Sequence, residues 1–161
     1  MSKTILAVGA MASAMLLASM AAVLTAVPGV TQTQTMTLVG AGDIAGCDFK
    51  ADRKTARLLG KIPGTVFTLG DNVYPDGTSA QFHNCYDPTW GNYKKRTKPS
   101  VGDQDYASSG AKPYFDYFGW RAGKPTRGYY SYDRGSWHIV VLNSNCKEVG
   151  DVSGAPPKGA G

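Results

Sequence analysis

The sequence predicts an α/β fold, a mixed sheet with flanking helices, and three observations carry that reading. Three short runs rich in apolar or β-branched residues each end in Gly-Asp: Met36 to Asp43, Thr65 to Asp71, and Lys98 to Asp103. An amphipathic stretch separates the first two, as a crossover between parallel strands requires. Two later runs rich in aromatic and β-branched residues flank Asp133-Arg134-Gly135, the pattern of an antiparallel hairpin.

In chain order, the first segment stands outside that fold. Lys3 is followed by no charged residue from Thr4 to Gly42, and Ile5 to Val27 is rich in Ala, Leu, Met and Val. Residues 1–27 therefore read as a secretory signal peptide cleaved soon after Ala26, with an uncleaved membrane anchor as the alternative. Either reading places the rest outside the cytoplasm, secreted or in the cell envelope. Residues 28–35 are a polar linker, 36–149 the folded domain, and the Gly- and Pro-rich stretch 150–161 a disordered tail.

Within the domain, Met36 to Ala41 is the first strand, running into Gly42-Asp43. A helix is expected over Ala51 to Leu59: Ala51, Ala56, Leu58 and Leu59 give it an apolar side, Arg53, Lys54 and Arg57 a wet one, and Gly60 suits its C′ position. The second strand, Thr65 to Leu69, stops at Gly70 and delivers Asp71 at its carboxyl end. Strand, helix and strand in that order form a βαβ unit with Asp43 and Asp71 in one crevice.

Thr78 with Gln81 is a capping-box pattern opening a second helix to about Asn84, which Asp87-Pro88 ends. Trp90 to Tyr93 reads as a turn or helical piece before the third strand, Tyr106 to Gly110 as loop, and Pro113 to Phe118 as a helical turn. Gly128 to Tyr132 and Trp137 to Leu142 then form the hairpin, which makes the sheet mixed.

Export makes the cysteines legible, because oxidising compartments favour disulfides. Cys47 and Cys85 each follow a strand-end Asp loop and are expected to meet there, leaving Cys146 without a partner. The net charge is +5, from 17 Lys and Arg against 12 Asp and Glu, and its one cluster is Lys94-Lys95-Arg96 with Lys98. That cluster reads as a solvated surface segment, or else as a lure for an anionic substrate or envelope polymer.

Carboxylates that converge without cations repel one another unless protonated or bridged by metal. Asp43, Asp71, Tyr74 and Asp103 make an oxygen-rich set suited to hard cations, and a phenolate from Tyr74 would suit ferric iron. Paired metals make hydroxide from water and clamp a phosphate for in-line displacement, so phosphoester hydrolysis is the natural expectation.

Gly42-Asp43, then Gly70-Asp71-Asn72-Val73-Tyr74, then Gly102-Asp103-Gln104-Asp105 resemble in order and spacing the first three blocks of the calcineurin-like metallophosphoesterases. The Asp-x-x-Tyr form resembles the purple acid phosphatase branch, over about Leu38 to Cys146. The resemblance implies a sandwich of mixed sheets, here an incomplete metallophosphoesterase sandwich, around a pair of metals drawn from iron, zinc or manganese. By it, Asp43 and Tyr74 would bind one metal, Asp71 would bridge both, and Asp103 would bind the second. The implied substrate is a phosphomonoester or other small phosphorylated molecule; no nucleic acid is expected as a partner, and no membrane contact beyond the N-terminal segment.

The departures are specific. Where the family has Gly-Asn-His, this chain has Gly102-Asp103-Gln104, so Gln104 stands in the place of the histidine thought to protonate the leaving group. The later histidine blocks have no counterpart, and the two histidines, His83 and His138, fall in a predicted helix and a predicted strand, where structural roles are expected. The odd Cys146 and the change in composition at Gly150 fit a truncated or frame-shifted copy with an incomplete, catalytically impaired site. A non-catalytic exported binding protein with a residual metal site is the alternative.

Gly40-x-Gly42-x-x-Ala45 fits a loose dinucleotide fingerprint, but Asp43 would face the pyrophosphate, and Cys47-Asp48 delays the helix that should hold it. Asp and Asn also end strands simply by satisfying loop backbone, and Asp76 and Asp105 are read that way.

Overall fold

The computed structural model describes residues 35–149; the expected export segment 1–27, nearly all of the expected linker 28–35 and the expected tail 150–161 lie outside the described residues. In chain order the strands and helices are β1 (Leu38–Ala41), β2 (Ala45–Gly46), α1 (Ala51–Leu59), β3 (Thr65–Thr68), β4 (Val73–Tyr74) and α2 (Ser79–Gln81). They continue with β5 (Thr97–Lys98), α3 (Lys112–Phe118), β6 (Tyr130–Arg134), β7 (Trp137–Val141) and α4 (Cys146–Val149). Strands β1, β3 and β5 form a parallel sheet in that order, with Leu38 opposite Thr65 and Ala41 opposite Thr68. A short parallel ribbon, β2 with β4, carries the pairing beyond the strand ends, Ala45 facing Val73 and Gly46 facing Tyr74. The expected βαβ unit is present, with α1 at its expected bounds.

The single mixed sheet is corrected. Strands β6 and β7 pair with each other, antiparallel, and among the described residues they form a sheet of their own. Pro99 explains the separation: it has no N–H for a ladder, and β5 ends one residue before it. Side chains tie the hairpin to the body instead, with the Tyr130 hydroxyl donating to the Pro99 carbonyl at 2.8 Å and the Ser100 hydroxyl to the Leu142 carbonyl at 3.2 Å. The architecture is thus mixed α/β, with small parallel and antiparallel sheets and helices.

The second helix is also corrected. Its capping box forms, the Thr78 side chain accepting from the Gln81 amide and the Gln81 side chain from the Thr78 amide. After one α-turn, however, the chain widens into a π-turn over Phe82–Tyr86, where the Asp87 amide reaches the Phe82 carbonyl at 2.8 Å. Phe82, Cys85 and Tyr86, spaced i, i+3 and i+4, share the inward face of this turn and are buried. Phe82 and Tyr86 join Tyr114, Tyr117 and Phe118 in an aromatic core of tilted, stacked and edge-on contacts.

The cationic cluster is only in part the solvated segment expected: Lys95 is exposed, and Lys94 and Arg96 are half-buried and partnered. Arg96 donates to the carbonyls of Leu59, Ile62 and Gly64 at 2.5, 3.0 and 2.8 Å, closing the end of α1 and the turn that follows it. The Lys94 ammonium lies 3.9 Å from the Tyr117 ring centroid.

Candidate metal centre

Because β1 and β3 are parallel and in register, their carboxyl ends lie side by side, and Asp43 and Asp71 follow those ends. Both aspartates have left-handed backbone, φ 53° at Asp43 and 49° at Asp71, a conformation that non-glycine residues seldom adopt and that a surrounding structure must enforce. Gly70 beside them has φ 93°, and a Cβ there would meet the Gly102 Cα at 2.8 Å. A Cβ on Gly102 would overlap the Asp71 carboxylate. The two Gly-Asp turns at Asp71 and Asp103 therefore need their glycines to nest against each other.

What enforces the strain is hydrogen bonding. The Ile44 amide donates to the Asp71 carbonyl at 3.0 Å and the Ala45 amide to the Asn72 carbonyl at 3.2 Å, joining the two strand-end turns. Asn72, fully buried, donates from its backbone to Asp105 Oδ1 at 3.2 Å and from its side chain to Asp105 Oδ2 and the Ser100 carbonyl, both at 2.8 Å. The Gly102 amide adds a bond to Asp105 Oδ2 at 2.9 Å. Asp105 is thus no simple turn residue, a correction to its reading from sequence: it is completely buried and clamps the second and third Gly-Asp turns together. Burial pushes its carboxyl up to about 7, against the pull of its three N–H donors. Asp76 does serve its turn, its amide donating to Gln81 and its carbonyl accepting from Ser108.

The centre of the site is a phenol between two carboxylates. Tyr74 Oη lies 2.5 Å from Asp43 Oδ1 and 2.8 Å from Asp71 Oδ2. Burial, and then its bonds to Asp43 and Asp71, hold this phenol protonated far above its usual range. A hydroxyl carries one proton, so it cannot satisfy both carboxylates. Asp71 also accepts from the Gln104 amide at 3.1 Å. No cation helps, since among the described residues the ion pairs are Lys112 with Asp116 and His138 with Asp133.

The other expected ligands fall elsewhere. Among the described residues no three His, Cys, Asp or Glu side chains are grouped closely enough to hold a metal ion, and Asp103 makes no side-chain hydrogen bond to Asp43, Asp71 or Tyr74. Its exposed side chain lines a cleft with Tyr106, Ser144 and Glu148. Gln104 reaches the site through its backbone amide. His83 lies edge-on to Tyr117, and His138 bonds Asp133 at 2.7 Å on the exposed side of the hairpin. The donors present fit one hard cation held by Asp43, Asp71 and Tyr74; they do not fit the metal pair that the resemblance implies.

Sequence reasoning found this trio and missed the clamp of Asn72 and Asp105 that shapes it. The one signal was position: Asn72 adjoins a strand-end aspartate, and Asp105 follows another by two residues. Beside the site, Cys47 and Cys85 meet as expected, bridged by a disulfide with Cα atoms 4.8 Å apart, and Cys146 is free and exposed. Among the described residues no helix is long and apolar enough to cross a membrane. No family model, curated protein or solved structure matches the chain, so the reading of its site rests on geometry.

Proposed function

We propose that this chain is an exported phosphoesterase-type protein in which Asp43, Asp71 and Tyr74 hold one divalent cation beside a phosphomonoester, with turnover impaired. The observation that carries this reading is the pair of carboxylates at adjacent strand ends, strained into place and sharing one phenolic proton. Strain of this kind concentrates where a ligand needs a fixed geometry, and uncompensated carboxylates favour a cation. Export is supported by the apolar leader and by the Cys47–Cys85 pairing.

A hard cation bound there would polarise a phosphoryl oxygen. The residues themselves supply orientation: Asp71 is held by the Gln104 amide, and Asn72 and Asp105 fix the turn that carries it. They supply little acid catalysis. A primary amide has no titratable proton, so Gln104 leaves protonation of the departing alkoxide to water, a loss of about 10²–10⁴ in rate. The remote positions of His83 and His138 favour a second reading, a binding protein that holds metal and phosphate without turnover.

The test combines calorimetric titration with Mn²⁺ and a p-nitrophenyl phosphate assay in the same metal, on the secreted chain and on Asp71→Ala. Metal-dependent turnover abolished by the substitution supports the enzyme. Saturable Mn²⁺ binding lost in the variant, with no turnover in either protein, supports the binding reading; no Mn²⁺ binding by the unsubstituted chain sinks both.

A further inference from the structure

Away from the acidic site, the segment between α3 and β6 builds a surface of opposite character. From Tyr117 to Tyr132 the chain carries Arg121, Lys124 and Arg127 and no acid. Its most exposed aromatic, Trp120, is 74 % accessible, and Tyr129 is 43 % accessible. The Arg121 guanidinium lies 4.6 Å from the Trp120 ring centroid, the Lys98 ammonium 5.4 Å from the same ring and 4.8 Å from that of Tyr132, and Arg127 lies 5.7 Å from Tyr129. A cleft of about 630 Å³, within the size range of ligand sites, runs between Trp120 and Tyr129 and is lined by Lys124 and Arg127.

Two features separate this cluster from ordinary packing. Where Lys94 lies over Tyr117, the ring is buried in the core and has a structural task; Trp120 leaves most of its ring to solvent. The cations also crowd one another: Arg134 and Arg121 both face Lys98 and, after burial, lower its affinity for its proton. Among the described residues none of Lys98, Arg121, Lys124, Arg127 and Arg134 has a carboxylate within ion-pair distance. Unpaired like charges held around an open aromatic face make a site that an anion with a stackable ring would relieve.

We propose that this cleft binds an acidic polysaccharide, a sugar ring lying on Trp120 and its carboxylate or phosphate groups meeting Lys124 and Arg127. Single-stranded nucleic acid has a similar appetite for basic and aromatic surfaces. The glycan is favoured because the apolar leader and the cysteine pairing support export, toward envelope and extracellular glycans. This surface shares no residue with Asp43, Asp71 and Tyr74, so it stands or falls independently of the phosphoesterase reading.

The test is affinity electrophoresis of the secreted chain through gels containing polygalacturonate, neutral dextran or single-stranded DNA of matched charge. The expected result is retardation by polygalacturonate alone, weakened about tenfold by Trp120→Ala. Lys124→Ala/Arg127→Ala should weaken it comparably and steepen no salt dependence, and Asp71→Ala should leave it unchanged. Thermal melting verifies that each variant folds; because Lys124 and Arg127 are exposed, that pair decides the matter if Trp120→Ala does not fold. Equal retardation by dextran, tighter retention by DNA, or retention unmoved by the folded variants would each overturn the proposal.

Discussion

Asp105 accepts hydrogen bonds from both the backbone and the side-chain amide of Asn72, its partner 33 residues earlier in the chain. Asn72 directly follows Asp71, whose left-handed backbone aims a carboxylate at Tyr74. The buried pair therefore transmits order from the third Gly-Asp turn to the second, and the acidic site inherits its geometry from residues that do not line it. The same Asp105 carboxylate also holds the Gly102 amide, so a single side chain closes both turns.

Replacing Asp105 with Ala removes the acceptor of the Asn72 amide, of the Gly102 amide and of one N–H of the Asn72 side chain, whose other N–H keeps the Ser100 carbonyl. The expected cost is about 2–4 kcal/mol of stability, read from urea unfolding. Asp105→Asn keeps one acceptor oxygen but turns an NH₂ group toward the donors, and should cost about half as much. Mn²⁺ affinity should fall in both variants, more in Asp105→Ala. A loss below about 0.5 kcal/mol in Asp105→Ala would show that the clamp is dispensable.

Cation binding should appear as stability. If Asp43, Asp71 and Tyr74 take up Mn²⁺ in the folded chain, a concentration one hundred times the dissociation constant adds about 2.7 kcal/mol and raises the melting temperature. Asp71→Ala should abolish that rise. Tyr74→Phe should lower metal-free stability by about 1 kcal/mol, because the proton shared by Asp43 and Asp71 is lost and the carboxylates repel. Melting curves with and without Mn²⁺ check both; a metal-independent curve for the unsubstituted protein would refute the cation site.

Much of this was legible in the chain because local rules set it. The run Thr65 to Leu69, the amphipathic α1 and the Gly-Asp turns are short-range patterns, and they place Asp43, Asp71 and Tyr74 correctly relative to the strands. What sequence left open was long-range. Which edge the hairpin would meet depended on Pro99 and on the Tyr130 hydroxyl that answers its carbonyl. The π-turn at Phe82–Tyr86 answers to the shape of the aromatic core, and no local propensity encodes it. The partnership of Asp105 with Asn72 spans β4, β5 and the helical turns between them, so Asp105 taken alone resembled any polar residue after a strand.

The disulfide offers a second stability test. Cys47 and Cys85 close a loop across a separation of 38 residues, which in the chain-entropy account stabilises the fold by about 3–4 kcal/mol. Reduction, or Cys47→Ser/Cys85→Ser, should lower the urea midpoint accordingly without altering Cys146. Intact-mass analysis of alkylated protein should show one labelled thiol before reduction and three after. Three labelled thiols in freshly secreted protein would mean that the pair does not form.

Alkaline pH should unfold the chain through its tyrosines. Burial pushes the hydroxyls of Tyr86 and Tyr114 well above their usual range, and neither has a hydrogen-bond partner among the described residues. Tyr117 and Tyr130 are raised by burial as well, and the bond from Tyr117 to Asp87 adds to its shift. The sign follows from proton uptake: above about pH 10 the unfolded chain loses its phenolic protons while the folded chain keeps them, so stability falls as pH rises. Below that pH both states are protonated and these groups contribute their full stabilising difference. Absorbance at 295 nm should therefore show the buried set ionising in one step that coincides with loss of the near-ultraviolet dichroism of the aromatic core. Tyr114→Phe removes a buried, partnerless hydroxyl and should shift that step to higher pH. Ionisation of all nine tyrosines near pH 10 with the dichroism intact would contradict the burial of this core.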